Sequence, residues 1–201
     1  LQIVSDGTLT VVDNGVAGNA VATVDGTVTL EAVAAQVNDG IQSVDGNITV
    51  TADNNISLSD GTLIDAGSGT ITLSADGDIT LGRLLTTNDS TAAVRLTSTA
   101  GEIVDGGDTG GADVQATSGR LVIASATGVG ASNALETKVD SLEVVNATSG
   151  HISISDASTD ALLVVNAVQQ TAGNLQIVSD GTLTVVDNGV AGMRSRLSTG
   201  Q

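Results

Sequence analysis

Few residues in this chain have the types and spacing that chemistry needs. Aspartate precedes glycine at Asp6, Asp25, Asp45, Asp60, Asp76 and Asp180, and Asp105 and Asp108 bracket the pair Gly106-Gly107. Carboxylates gathered at stacked corners could hold Ca²⁺, which requires several oxygens converging within one layer or between two. The calcium-binding nonapeptide pattern GGxGxDxUx is approached only between Gly106 and Val114, with altered spacing and no tandem copy. Turn chemistry accounts for these aspartates, so no metal ligand is assigned. The expectation is a chain without a cofactor, with Ca²⁺ as the one alternative. His151 is the only histidine. An acid or base built on it would need an orienting partner and a substrate or nucleophile within reach. The sequence supplies neither, so His151 is expected on the surface and no catalytic or cofactor-binding residue is assigned.

Threonine supplies a third pattern. Thr8 with Thr10, Thr27 with Thr29, Thr70 with Thr72 and Thr182 with Thr184 form TxT pairs, expected to point outward from strands. Stacked TxT ladders resemble the flat faces of ice-binding β-solenoids, although Asn47, Asp78, Arg120 and His151 interrupt the equivalent slots. Serine and threonine in general suit strand surfaces and turns, and no serine is assigned as a nucleophile. Solenoid polysaccharide lyases use carboxylates grouped with Arg or Lys. Here only Arg83, Arg95, Arg120 and Lys138 lie outside residues 193–201, and no aromatic platform for a sugar exists. The expectation is that the chain is not an enzyme.

The elements that would position these residues are aliphatic and small. Of 201 residues 40% are hydrophobic, yet Phe, Tyr, Trp, Pro and Cys are absent. A core without aromatics suits stacked similar layers, because aromatics normally provide much of the buried area of a globular core. Acidic low-complexity chains often stay unfolded, but here the aliphatic residues are frequent and regularly spaced. The formal net charge of −17 repels phosphate backbones and anionic bilayers, which excludes nucleic acid and membrane insertion as partners. The absence of cysteine excludes disulfides and thiol chemistry, and fits a long chain exported unfolded.

One motif recurs: Gly, polar, aliphatic, polar, aliphatic. It reads GTLTV from Gly7, GTVTL from Gly26, GNITV from Gly46, GTITL from Gly69, GDITL from Gly77, GRLVI from Gly119, GHISI from Gly150, GNLQI from Gly173 and GTLTV from Gly181. GTLID from Gly61 and GEIVD from Gly101 are degraded forms. Alternation with period two places successive side chains on opposite faces of a strand. Val28 and Leu30, Ile48 and Val50, Ile71 and Leu73, and Ile152 and Ile154 should therefore face inward. The preceding Asp-Gly pairs mark corners, since Asp-Gly is favoured where the backbone takes positive φ. Antiparallel hairpins would also use such turns. The spacing argues against them, because motifs recur after 19, 20 and 23 residues while Gly69/Gly77 and Gly173/Gly181 lie 8 apart. Strands 8 apart would occupy neighbouring faces of one coil, and strands about 20 apart the same face of successive coils. This predicts an all-β fold, a parallel right-handed β-solenoid with rungs of about 20 residues.

Two stretches depart from the alternation. Leu30, Val33, Ala34, Val37, Ile41 and Val44, and then Ala131, Ala134, Leu135, Val139 and Leu142, lie near helical spacing. Each is either a short helix against the rod or an irregular rung. The run GGDTGGADV from Gly106 reads as a loop or bulged corner.

The eighteen letters LQIVSDGTLTVVDNGVAG occupy residues 1–18 and return without mismatch at 175–192. The segment 1–192 thus reads as a solenoid built on a 174-residue tandem unit whose second copy starts at Leu175, and 193–201 as an unpatterned tail. Within the copied rung Leu1, Ile3, Leu9 and Val11 should point inward and Gln2, Thr8 and Thr10 outward, with Asp6-Gly7 at the corner. At about 4.8 Å per stacked strand, one unit of about nine rungs would add about 40 Å along a single axis. Unpaired strand edges at terminal rungs invite end-to-end self-association.

A family resemblance rests on GDITL, GEIVD, GVGASNALET and GHISI in that order, over roughly residues 69–178. This stretch resembles the repeat region of large bacterial filamentous-haemagglutinin-like adhesins secreted by the two-partner route. The resemblance implies a right-handed β-helical rod, an extracellular location on the bacterial cell surface, and a stalk role in adhesion or cell contact, with neighbouring repeats of the same chain as partners and a host or cell-surface ligand that it leaves unspecified. A ligand-binding solenoid, taking ice through TxT pairs or stabilised by Ca²⁺, is the alternative.

Overall fold

A computed structural model describes residues 1–13, 15 and 18–186. The tail at 193–201 and the end of the second copy lie outside these residues. Every regular element described is a β-strand, and every strand pairing is parallel. The strands stack as a β-solenoid of about 8 turns, with rungs of about 23 residues.

The chain visits three faces per turn. On the first face Thr29 lies on Gln2, and Thr49, Thr72, Arg95, Val122 and Glu143 follow in one row. On the second, Leu9, Ala35, Ile56, Ile79, Ile103, Val129 and Ile152 succeed one another. Val21, Ile41, Ile64, Leu84, Val114 and Thr137 make the third. The closely spaced Gly69 and Gly77 thus head strands on neighbouring faces of one coil. Ile48 and Ile71, a full turn apart, share one face. Rungs lengthen where loops intrude. Val94 pairs with Leu121, more than one ordinary turn onward, because residues 106–113 are inserted between two faces.

The interior is a set of like-on-like aliphatic columns. Val28, Ile48, Ile71, Val94, Leu121 and Leu142 stack in register and are fully buried, as are Leu30, Val50, Leu73, Leu96, Ile123 and Val144 alongside them. Ile152 and Ile154 are buried as the alternation predicts. Each such side chain contributes on the order of 1.5–3 kcal/mol by leaving water. Branched residues of similar size repeat well at the strand spacing, so the fold needs no aromatic.

Neither stretch of helical spacing is a helix: most of each lies in a strand, Val28–Val37 and Leu135–Asn146, and Ile41 belongs to the next strand, Ile41–Ser43. The first follows one face through Ala32, turns at Val33 and Ala34, and resumes on the next face at Ala35 and Val37. The extra residue at the corner converts period two into steps of three and four. Leu135, Val139 and Leu142 arise the same way, with the phase slipping at Ser141 and Leu142.

Most of the Asp-Gly corners lack the expected positive φ. Of Gly7, Gly26, Gly46, Gly61, Gly77 and Gly181 only Gly61 has positive φ, +76°. At Gly46 a Cβ would lie 2.3 Å from the carbonyl oxygen of Gly26 in the rung before it. There, as at Gly77 and Gly181, the side chain is absent because successive corners touch, whereas a Cβ at Gly7 would meet nothing within 4 Å.

Hydroxyls also do more than coat the surface. Ser98 and Ser125 are buried at the corner from the first face to the second, and Ser43 at the corner from the third face to the first. Ser43 Oγ donates to Gly26 O and accepts from Gly46 N–H (3.0 and 2.9 Å), and Ser98 does the same between Gly77 O and Gly101 N–H (2.7 and 3.0 Å). A corner must leave backbone groups unpaired, and an interior hydroxyl satisfies them.

In the first copied rung Val11 is buried, and Ile3 and Leu9 are half-buried against the core. Leu1, expected inward, is 55% exposed, in the first rung of the described residues. Asp6-Gly7 sits at a one-residue bulge where the strand Gln2–Val11 passes from the first face to the second.

Candidate metal centre

At several corners the aliphatic that opens an inward run is preceded by a polar residue, and these residues have a common structural use. Asn47 Oδ1 accepts the N–H of Thr70, Asn55 Oδ1 that of Asp78, and Asp78 Oδ1 that of Glu102, at 2.9 to 3.0 Å. Each acceptor serves the rung that follows. His151 occupies the same slot, exposed as expected, and its Nδ1 accepts the N–H of Asn174 at 2.9 Å. Asp113, before Val114, belongs to this series: its Oδ2 accepts the N–H of Glu136 at 2.9 Å.

Asp113 differs in its surroundings. It is 1% exposed, and its Oδ1 is buried without a hydrogen-bond partner. One oxygen from each of Asp105, Asp113 and Glu136 lies within 4.8 Å of the others. Asp105 ends the strand Ile103–Asp105, Asp113 closes the loop 106–113, and Glu136 comes from the next rung in the strand Leu135–Asn146. The loop is held from several sides. Asp105 Oδ1 accepts Gly107 N–H (2.7 Å), and Asp60, from an earlier rung, accepts Thr109 N–H and Oγ1 (3.0 and 2.5 Å). Gly107 takes φ +132°, with Asp60 so close that a Cβ would touch its carboxylate at 2.7 Å. Asn133 Nδ2 donates to Asp105 and reaches Asp108 Oδ1 at 3.4 Å.

The electrostatics follow. Burial pushes the Asp113 carboxyl up to about 8; the Glu136 N–H works against this, while the negative charges of Asp105 and Glu136 add to it. Glu136 is also raised, first by burial and then by Asp105 and Asp108. Two chemical devices relieve such a cluster: a proton shared between Asp113 and Glu136, or a cation of hard, oxygen-seeking type.

The aspartates singled out from sequence disperse. Asp105 and Asp108 join this cluster, whereas Asp60 pins its loop. Asp45 and Asp76 each accept a hydroxyl from the next rung, from Ser68 and Thr99, at 2.9 Å. Asp113, Glu136 and Asn133 were not singled out. The signal for them lay in the rung length, since position 136 lies one full turn beyond position 113. The TxT pairs also divide. Thr29, Thr49 and Thr72 stack in one outward row, followed by Arg95, whereas Thr8 lies on Ala34 and Thr10 on Gln36. A shallow polar depression of about 350 Å³ lies between Asn19, Asn38 and Asp60.

No family model matches the chain, and neither a curated protein nor a solved structure matches it.

Proposed function

We propose that this chain is a structural and interaction segment, a stalk of a large repetitive bacterial cell-surface adhesin or extracellular filament. The observation that carries the reading is the unbroken parallel ladder, in which each rung contacts its neighbours and adds length rather than enclosing a cleft. Eight turns at the strand spacing span about 40 Å. The sequence resemblance to filamentous-haemagglutinin-like repeats supports an adhesin context, and the charge of −17 keeps a repetitive rod soluble by self-repulsion. In this role the chain acts without catalysis and with neighbouring repeats as its main partners. Antibodies raised against residues 28–169 should label the outside of intact producing cells, and deleting the segment should shorten the surface fibre while leaving it exported. Labelling only after lysis would rule the reading out.

A second reading has its own observation. Thr29, Thr49 and Thr72 stand in register beside a row of Thr51, Ser74 and Thr97, a small hydroxyl lattice of the kind an ice-binding face uses. Thermal hysteresis in a solution of the purified chain supports it, and freezing without hysteresis dismisses it.

A further inference from the structure

We propose that Asp105, Asp113 and Glu136 hold one calcium ion, which ties the 106–113 loop to the following rung of the solenoid. Two independent observations converge on it. Three carboxylate oxygens lie within 4.8 Å of one another. Three oxygens no more than 4.8 Å apart lie within about 2.8 Å of a common centre, so small side-chain rotations bring all three to the roughly 2.3–2.6 Å of Ca²⁺ ligation. The second observation is Asp113 Oδ1, a buried acceptor with no hydrogen-bond partner, on a residue only 1% exposed. A buried oxygen left empty is costly, and a cation would satisfy it and offset the burial and the mutual repulsion that raise both Asp113 and Glu136.

The donor set selects the kind of ion. Oxygen ligands without His or Cys favour hard cations over zinc or copper. Magnesium prefers octahedral sites with ligands at about 2.0–2.1 Å, tighter than this spacing, and retains its waters. Calcium takes 6–8 oxygens in flexible geometry and accepts backbone carbonyls and waters among them. Asp108 stands at the rim, and turning the Asn133 amide through half a rotation would aim its Oδ1 at the carboxylates it now donates to. The loop geometry is already set by Asp60 on Thr109 and by Asp105 on Gly107, so binding requires little ordering.

Isothermal titration of the chain, first stripped with EDTA, with CaCl₂ should show one site, with MgCl₂ at least about tenfold weaker. At 1 mM Ca²⁺ the melting midpoint by circular dichroism should rise by about 5 °C over that in EDTA, the scale expected at about a hundredfold excess over Kd for a chain of this size. Asp113→Asn and Glu136→Gln should abolish both signals, whereas Asp53→Asn, on the exposed surface far along the chain, should keep them. Should either cluster variant fail to fold, the stoichiometry of the unaltered chain decides. A midpoint identical in Ca²⁺ and EDTA, with no heat of binding, would overturn the proposal in favour of a proton shared by Asp113 and Glu136. A response that survives both cluster substitutions would overturn it in favour of diffuse binding by the acidic surface.

Discussion

At the scale of single residues, the polar side chains of this chain serve the backbone of the next rung. His151 shows it most plainly: the only histidine acts as a hydrogen-bond acceptor for Asn174 N–H. His151→Ala should abolish hydrogen-exchange protection of the Asn174 amide and cost roughly 0.5–1.5 kcal/mol. His151→Asn should retain the protection, because Asn47 and Asn55 make the same bond; equal loss in both variants would refute the role. Asp156 gives a pH dependence. It is 1% exposed, its Oδ1 accepts Thr137 Oγ1 (3.0 Å) and Val139 N–H (3.2 Å), and its Oδ2 is buried without a partner. Burial holds this carboxyl above the usual carboxylate range, against the pull of those hydrogen bonds. The folded state therefore keeps a proton that the unfolded chain releases. The contribution of this group to stability is fully present below the ordinary carboxylate range and is lost as pH rises through the folded value. Asp156→Asn stays neutral and keeps the Oδ1 acceptor. Urea titrations should find it more stable than the parent at pH 7 and indistinguishable at about pH 3; the same difference at both would refute the account.

At the scale of the element, the unit of stability is the column rather than the strand. Ile71 is stacked between Ile48 and Val94, all fully buried, so Ile71→Ala should cost about 2–5 kcal/mol in denaturant unfolding. Leu183 belongs to the last described rung and is only half-buried against the core. Leu183→Ala should cost well under half as much, and comparable costs would mean that burial does not follow position along the rod. Corners obey close contact. Gly46→Ala would drive a Cβ to within 2.3 Å of Gly26 O and should destabilise by more than the roughly 1 kcal/mol of an ordinary glycine replacement. The alternation GxΦxΦ revealed the flat parts of these elements because each strand residue faces either core or water. It misled at 30–44 and 131–142, where the strands Val28–Val37 and Leu135–Asn146 change phase, and it missed Ser43, Ser98 and Ser125, which face inward because bent backbone leaves carbonyls to be satisfied.

At the scale of the whole molecule, the copied letters occupy different faces. Residues 2–5 pair with Thr29–Ala32 on the first face. Of their copies, residues 177–179 pair with Ile154–Asp156, which stack on Leu135–Thr137 in the column that runs back through Val114, Leu84, Ile64 and Ile41 to Val21 on the third face. Likewise Val11 is on the second face, but its copy Val185 is stacked on Val164, Leu142 and Leu121 of the first. The offset from Leu1 to Leu175 amounts to seven rungs of the usual length and about half of an eighth, so each copy enters the rod turned by one face. Leu175 is therefore displaced around the axis from Leu1 as well as along it. The end rungs also carry most of the exposed large apolar residues, Leu1, Val4 and Val12 on one and Val185 and Val186 on the other. Sedimentation velocity should detect association that grows with concentration and with salt, which screens the −17 charge, and that weakens in a Val4→Lys, Val185→Lys variant. A single monomer boundary under all these conditions would refute end-to-end pairing.

The copied segment separates local from global determination. Both copies make the same local turn: Ser5 Oγ accepts Gly7 N–H and Ser179 Oγ accepts Gly181 N–H, each at 3.2 Å. Alternation, corner residues and the inward aliphatics depend on neighbours a few residues away, and the amino-acid sequence determined them unaided. Which face a strand occupies depends on the total length of every corner and loop before it, including the inserted 106–113 segment. The meeting of Asp113 with Glu136 depends on the same sum. Only the stacked structure carries out that addition, and it alone decided where identical letters lie and which carboxylates meet.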